Sequence, residues 1–234
     1  MKKYIPNFFT SLNLTCGCIA ILFLSKDNYN ASVIFCLFAF LFDFADGYFA
    51  RLLNTESAIG RELDSFSDFV TSGVVPGIVM YKLFVKSGLN EKMILSEIFN
   101  ISFFVSPFSL AAFLITVSTA FRLSRFNLMK TEVNYFIGLP APANCMMIIG
   151  LPFLIEFLGE EYLNYNILYL FTLFSVYMLN SKMKLISLKN LKKPIVLFLF
   201  FLIGASTILI NFGILTIVIF SYISFSFLYF NLKT

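Results

Sequence analysis

The sequence predicts an all-α polytopic membrane protein with about eight transmembrane helices. Three observations predict it. Of 234 residues, 59% are hydrophobic, and the mean hydropathy is +0.87. Only 13% are charged, where a soluble domain carries roughly 25%. Several apolar runs reach the ~20 residues that a helix needs to cross a bilayer. These runs are continuous rather than alternating, which argues against a β-barrel.

In chain order, the apolar runs predict helices over residues 8–25, 30–53, 60–85, 101–126, 143–158, 165–180, 194–210 and 212–230. The first run follows Met1-Lys2-Lys3 and lacks a small-x-small cleavage site, so it is expected to remain as the first helix. The fifth and sixth runs are short, which leaves their ends loosely placed. Pro140 and Pro142 stand where the chain must turn into the fifth helix. There is no histidine, which removes imidazole as base, nucleophile or metal ligand. Cys16, Cys18, Cys36 and Cys145 all fall in predicted helices and read as small apolar residues.

Loop charges set an orientation. With the N-terminus inside, 13 of the 17 basic residues lie on the cytoplasmic side. The net charge of +4 is therefore mostly topology, and the basic face also suits anionic headgroups. Both termini are expected in the cytoplasm, in the inner (cytoplasmic) membrane, and no nucleic-acid partner is expected.

Four aspartates interrupt this apolar sequence: Asp43, Asp46, Asp64 and Asp68. Carboxylates in membrane-like sequence are costly and mark function. Spacings of three and four put each pair on one helix face. Two helices joined by the short stretch 54–59 would point all four into one space. Asp68 lies eight residues past Gly60, about 12 Å into the membrane at 1.5 Å per residue, in a cavity open to the cytoplasm. A buried ion-pair network does not account for them, because Arg51 and Arg61 leave negative charge in surplus. An all-oxygen donor set of this kind suits a hard divalent ion such as Mg²⁺. Glu56 and Glu62 read as interfacial loop residues.

The whole segment is Asp43-x-x-Asp46-Gly47-x-x-Ala50-Arg51, eight residues, then Gly60-x-x-x-Asp64-x-x-x-Asp68. It resembles the signature of the CDP-alcohol phosphotransferase family at every fixed position. Gly47 and Gly60 would let a nucleotide approach the backbone, Ala50 keeps the same face clear, and Arg51 offers a fork to a phosphate oxygen. The resemblance implies a six-helix core over residues 1–182, with residues 183–234 as two additional C-terminal helices. It also implies two divalent cations, Mg²⁺ or Mn²⁺, on the four aspartates, and Asp68 as general base. The expected chemistry moves a phosphate-bearing group from a CDP-alcohol to a hydroxyl and releases CMP. Relatives of this kind are commonly homodimers.

Further elements narrow the acceptor. The stretches Phe121-Arg122-Leu123-Ser124-Arg125-Phe126-Asn127 and Phe136-Ile137-Gly138-Leu139-Pro140-Ala141-Pro142-Ala143 look like elements of the phosphatidylserine synthase branch of that family. Ser124 and Ala141 are its small departures. The opening Ile5-Pro6-Asn7-Phe8-Phe9-Thr10-Ser11-Leu12-Asn13 and the run Asp64 to Pro76 also resemble that branch. The resemblance implies CDP-diacylglycerol and L-serine as substrates among membrane lipids. Arg122 and Arg125 could pair with the serine carboxylate or the lipid phosphate, and Asn127 with the zwitterion. Each arginine also satisfies the positive-inside pattern alone. Asn7 and Thr10 either line the nucleotide pocket or cap the first helix. Glycerol 3-phosphate, inositol phosphate and choline remain rival acceptors. A phosphorylated acceptor would want more cations than two arginines and Lys130 supply. A divalent-cation transporter is the remaining class, and it would have no need of the glycines and Arg51 at these offsets.

Overall fold

The computed structural model describes residues 4–55, 57–88, 93–94, 104–105, 107–128, 135–186 and 211–232. Helices dominate them. Five segments are long and apolar enough to cross a membrane, and the chain is an integral membrane protein. Large apolar side chains such as Leu22, Phe38, Leu41, Leu170 and Phe225 face outward, as lipid contact requires.

Helices α1 (Tyr4–Ser25) and α2 (Tyr29–Leu53) form an antiparallel hairpin. The Asn28 side chain caps α2 by accepting from the Ala31 amide at 3.0 Å. Their shared seam is built from small side chains, including Cys16, Ala20, Cys36 and Ala39, which let the backbones close together. The chain leaves α2 through Asn54, in the left-handed region at φ 51°. It re-enters helix at once, because Ser57 accepts from the Gly60 amide at 3.0 Å.

Helix α3 (Ala58–Phe69) runs through a π-helical segment, Val70–Val74, into α4 (Val75–Lys86). Gly17 makes the crossing with α1 possible: a Cβ there would stand 2.6 Å from Thr71 Cγ2. At the far end Lys82 pairs with Asp27.

The fourth predicted helix begins later than expected. Strand β1 (Met93–Ile94) pairs antiparallel with β2 (Phe104–Val105). A 3₁₀ turn at Pro107–Phe113 then leads into α5 (Leu114–Leu128).

Strand β3 (Tyr135–Ile137) pairs with β4 (Lys184–Ile186) and brackets the remaining helices. The all-α expectation thus omits two short ladders. Pro140 leads directly into α6 (Ala141–Ile149), which is followed by α7 (Leu151–Leu158). The fifth predicted helix is therefore two, divided at Gly150. Helix α8 (Tyr165–Asn180) lies where expected. The seventh predicted helix (194–210) and Lys130 fall outside the described residues.

Helix α9 (Ile214–Asn231) packs on α6 and β4. Thr216 donates to the Met147 carbonyl at 2.8 Å, and a Cβ on Gly213 would stand 2.8 Å from the Leu154 amide nitrogen. α9 is thus packed into the bundle.

Candidate active site

Side-chain oxygens of Asp43, Asp64 and Asp68 come within 4.8 Å of one another. Helices α2 and α3 both pack on α1, which brings Asp43 of α2 to Asp64 and Asp68 of α3. Asp64 Oδ1 and Asp68 Oδ1 are buried and have no hydrogen-bond partner. Buried carboxylate oxygens left unpaired are costly. A divalent cation shared by the three would remove that cost, so the donor set fits a hard ion.

Asp46 stands apart from this trio. It is 7% exposed, and its Oδ2 accepts from the Thr10 hydroxyl at 2.6 Å. Short contacts of this kind to a carboxylate are the strong ones. Thr10 therefore contacts an aspartate from α1, a role in neither of its sequence-based readings. The same turn of α1 receives a second tie, because Ser67 donates to the Thr10 carbonyl at 3.2 Å. A third tie joins α5 to α3: the Asn127 amide donates to Ser65 at 2.8 Å. The acidic cluster is thus framed from α1 and α5.

The glycines and Arg51 fall beside this frame. The Arg51 guanidinium folds back over Gly47, with its nitrogens 3.7 and 3.8 Å from where a Cβ would be. A Cβ on Gly60 would meet Asn7 Oδ1 at 3.1 Å, so Asn7 borders the start of α3. Ala50 is half-buried one turn along α2.

The two arginines of α5 part company. Arg122 is half-buried, lies within electrostatic reach of Asp68, and has an unpaired Nε. Arg125 is exposed and lines a groove of about 280 Å³ between α5 and α8, with Leu114, Val117, Phe121 and Asn180. Positions three apart at a helix end meet different neighbours here.

Some residues of the site carried no assignment from sequence. Asn13 is fully buried on α1, with its side-chain amide beside the Asp68 carboxylate. Its place in the opening stretch was the available signal. Ser67 sat inside the aspartate run. Gly138 has φ +71°, and a Cβ there would stand 2.9 Å from the Leu179 carbonyl oxygen. That glycine lets β3 turn over the end of α8, where Gly138 and Leu139 donate to Met183 and Met178.

A helical membrane protein with a buried, cation-seeking carboxylate cluster is the setting for chemistry on a phosphate at the bilayer surface. Residues 3–177 match the model of the CDP-alcohol phosphatidyltransferase family, and the chain belongs to that family. It is 35% identical over 153 residues to the CDP-diacylglycerol–serine O-phosphatidyltransferase of Bacillus subtilis, covering 64% of this chain and 76% of that protein. It is also 35% identical over 146 residues to the protein of that name from Methanocaldococcus jannaschii, covering 62% of this chain and 59% of the relative. The archaetidylserine synthase of Methanothermobacter thermautotrophicus is 32% identical over 146 residues, of which 55% of the relative is covered. The chain thus spans about three-quarters of the first relative and less than two-thirds of the other two.

Proposed function

We propose that this chain transfers a phosphatidyl group from CDP-diacylglycerol to the hydroxyl of L-serine, giving phosphatidylserine and CMP. The observation that carries this reading is the convergence of Asp43, Asp64 and Asp68, with unpaired oxygens, in a member of this family. The names of its relatives support serine as the acceptor.

Asp43, Asp46, Asp64 and Asp68 would hold divalent cations, Mg²⁺ or Mn²⁺, two by resemblance. Such ions would neutralise the diphosphate and the charge that develops on CMP. Arg51, over Gly47, binds a phosphate oxygen through its planar fork. Asn7 and Gly60 leave room for the nucleotide against the start of α3. Asp68 takes the proton from the serine hydroxyl. That oxygen attacks the lipid-bearing phosphorus in line, and the bond to the bridging oxygen breaks. The electron pair leaves with CMP. Arg122 faces the serine carboxylate, and Asn127 holds α5 beside Ser65.

The cluster faces the cytoplasm of an inner-membrane protein in this reading. The positive-inside pattern supports it. A homodimer is the expected assembly.

Release of CMP from CDP-diacylglycerol tests the proposal, with serine, glycerol 3-phosphate, inositol phosphate or choline, with Mg²⁺, Mn²⁺ or chelator. Serine with a divalent ion should support release, and chelation should stop it. Asp68→Asn should abolish turnover while the protein stays folded. Release with glycerol 3-phosphate and none with serine would overturn the acceptor. Undiminished turnover by Asp68→Asn would remove the general base.

A further inference from the structure

Helix α5 carries a face that the acidic site does not use. Leu114, Val117, Phe121 and Arg125 recur at spacings of three and four and form one stripe along it. With Ser118, and with Val176 and Asn180 of α8, they line the groove of about 280 Å³. Leu114, Val117 and Phe121 are all exposed in it. Its floor is fixed by hydrogen bonds. Ser118 donates to the Val176 carbonyl at 3.3 Å, and the Asn180 amide donates to Ser118 Oγ. α8 is thus pinned against α5, and the groove is formed before anything enters it.

The groove faces away from the aspartates. Thr116 donates to the Gly73 carbonyl at 2.9 Å, and the Asn127 amide donates to Ser65 Oγ at 2.8 Å. These two bonds tie the opposite face of α5 to the α3–α4 segment, which carries Asp64 and Asp68. At 3.6 residues per turn, Asn127 stands about 200° round the helix from Arg125. The body of α5 therefore separates the groove from the acidic cluster.

Length and charge say what fits. Eleven residues separate Leu114 from Arg125, about 16 Å at 1.5 Å per residue. Half of a hydrocarbon core ~30 Å thick is about 15 Å. The groove thus runs the depth of one leaflet, and its apolar wall suits an acyl chain. Arg125 stands exposed at one end and forms no ion pair among the described residues. Arginine lays its stem on apolar surface and keeps its guanidinium at headgroup level, where it pairs with phosphate oxygens. A soluble anion would leave the apolar wall uncovered. A zwitterionic headgroup holds its own cation beside its phosphate, whereas an anionic one leaves the phosphate to Arg125.

We propose that this groove binds an anionic phospholipid of the surrounding bilayer that does not itself react, with one acyl chain along Leu114, Val117 and Phe121 and its phosphate on Arg125. This lipid site is separate from the place where CDP-diacylglycerol meets the aspartates.

The chain has no tryptophan, so a single introduced indole reports its own surroundings. The full-length variants are Phe121→Trp and Leu114→Trp in the groove, and Phe225→Trp on the exposed face of α9 as control. Each is placed in phosphatidylcholine vesicles that contain brominated phosphatidylglycerol or brominated phosphatidylcholine. Fluorescence quenching gives the relative affinity for the two lipids at each indole. The groove reporters should favour the anionic lipid about fivefold, the contribution of one arginine at headgroup level. The control should show less than about twofold preference, and Arg125→Gln should bring both groove reporters down to the control. The reporters sit at opposite ends of the groove, so a local disturbance at one leaves the other to decide. No turnover is needed, so the result is independent of the reaction and the acceptor under Proposed function. Equal quenching by the two lipids in the groove overturns the proposal. So does a preference that survives Arg125→Gln, or one as large at Phe225→Trp. Absence of quenching in the groove overturns it too, since protein such as a second copy of this chain then covers it. Relief of quenching by a trace of unbrominated CDP-diacylglycerol would give the groove to the donor and overturn it as well.

Discussion

Replacing Thr10 by valine probes how α1 serves the carboxylates. The two side chains have nearly the same shape, so packing at this buried position is preserved. What disappears is the hydroxyl, which donates to Asp46 Oδ2 at 2.6 Å and lies 3.1 Å from the Pro6 carbonyl of its own helix. A hydrogen bond to a charged group contributes about 1.5–3 kcal/mol, and Asp46, at 7% exposure, has little water to replace it. At 1.4 kcal/mol per tenfold, the loss corresponds to about ten- to hundredfold. If Thr10 orients Asp46 as a cation ligand, the divalent-ion midpoint for CMP release should rise by about that factor, with the KM for CDP-diacylglycerol little changed. Thr10→Ser keeps the hydroxyl and should stay within about threefold of wild type. The assay is a titration of Mg²⁺ at saturating substrates, followed by a titration of donor at saturating Mg²⁺. A wild-type ion midpoint in Thr10→Val would refute the reasoning. A raised donor KM with an unchanged midpoint would restore the sequence-based view of Thr10 as part of the nucleotide pocket.

Two further outcomes follow from the geometry. Gly138→Ala forces a side chain into the left-handed region and against the carbonyl oxygens of Leu179 and Ser181. The backbone cost alone is about 1–2 kcal/mol, so the detergent Tm should fall, and an unchanged Tm would refute the close approach. Arg122→Ala should raise the serine KM at least tenfold, whereas Arg125→Ala, which faces the groove on α5 and α8, should change it by less than about threefold. Equal effects of the two variants would show that the arginines share one ligand.

Much of this molecule was legible in the sequence because its strongest constraints are local. Hydropathy and run length place α1, α2, α8 and α9, since a helix in lipid must satisfy its own backbone and cover it with apolar side chains. The i,i+3 and i,i+4 spacings of the aspartates put each pair on one face before any fold is known. Gly150 was equally visible. Its effect was not, because a helix break depends on what the neighbouring chain makes room for. At Gly150 that neighbour is α9, whose Thr216 Oγ1 would stand 2.7 Å from an added Cβ.

The sequence by itself determined a helical membrane protein with two aspartate pairs, each on one face of its helix, since hydrophobic length and helical periodicity are properties of single segments. Only the tertiary structure decided that three aspartates cluster while Asp46 turns to Thr10, that Arg122 comes within electrostatic reach of Asp68 while Arg125 goes to a groove, and that α9 packs on α6 from beyond the family-matched segment. Periodicity gives a side chain's angle about its own helix. The partner it meets is set by how helices cross, and that depends on small residues such as Gly17 and Gly213 whose contacts lie far away in sequence.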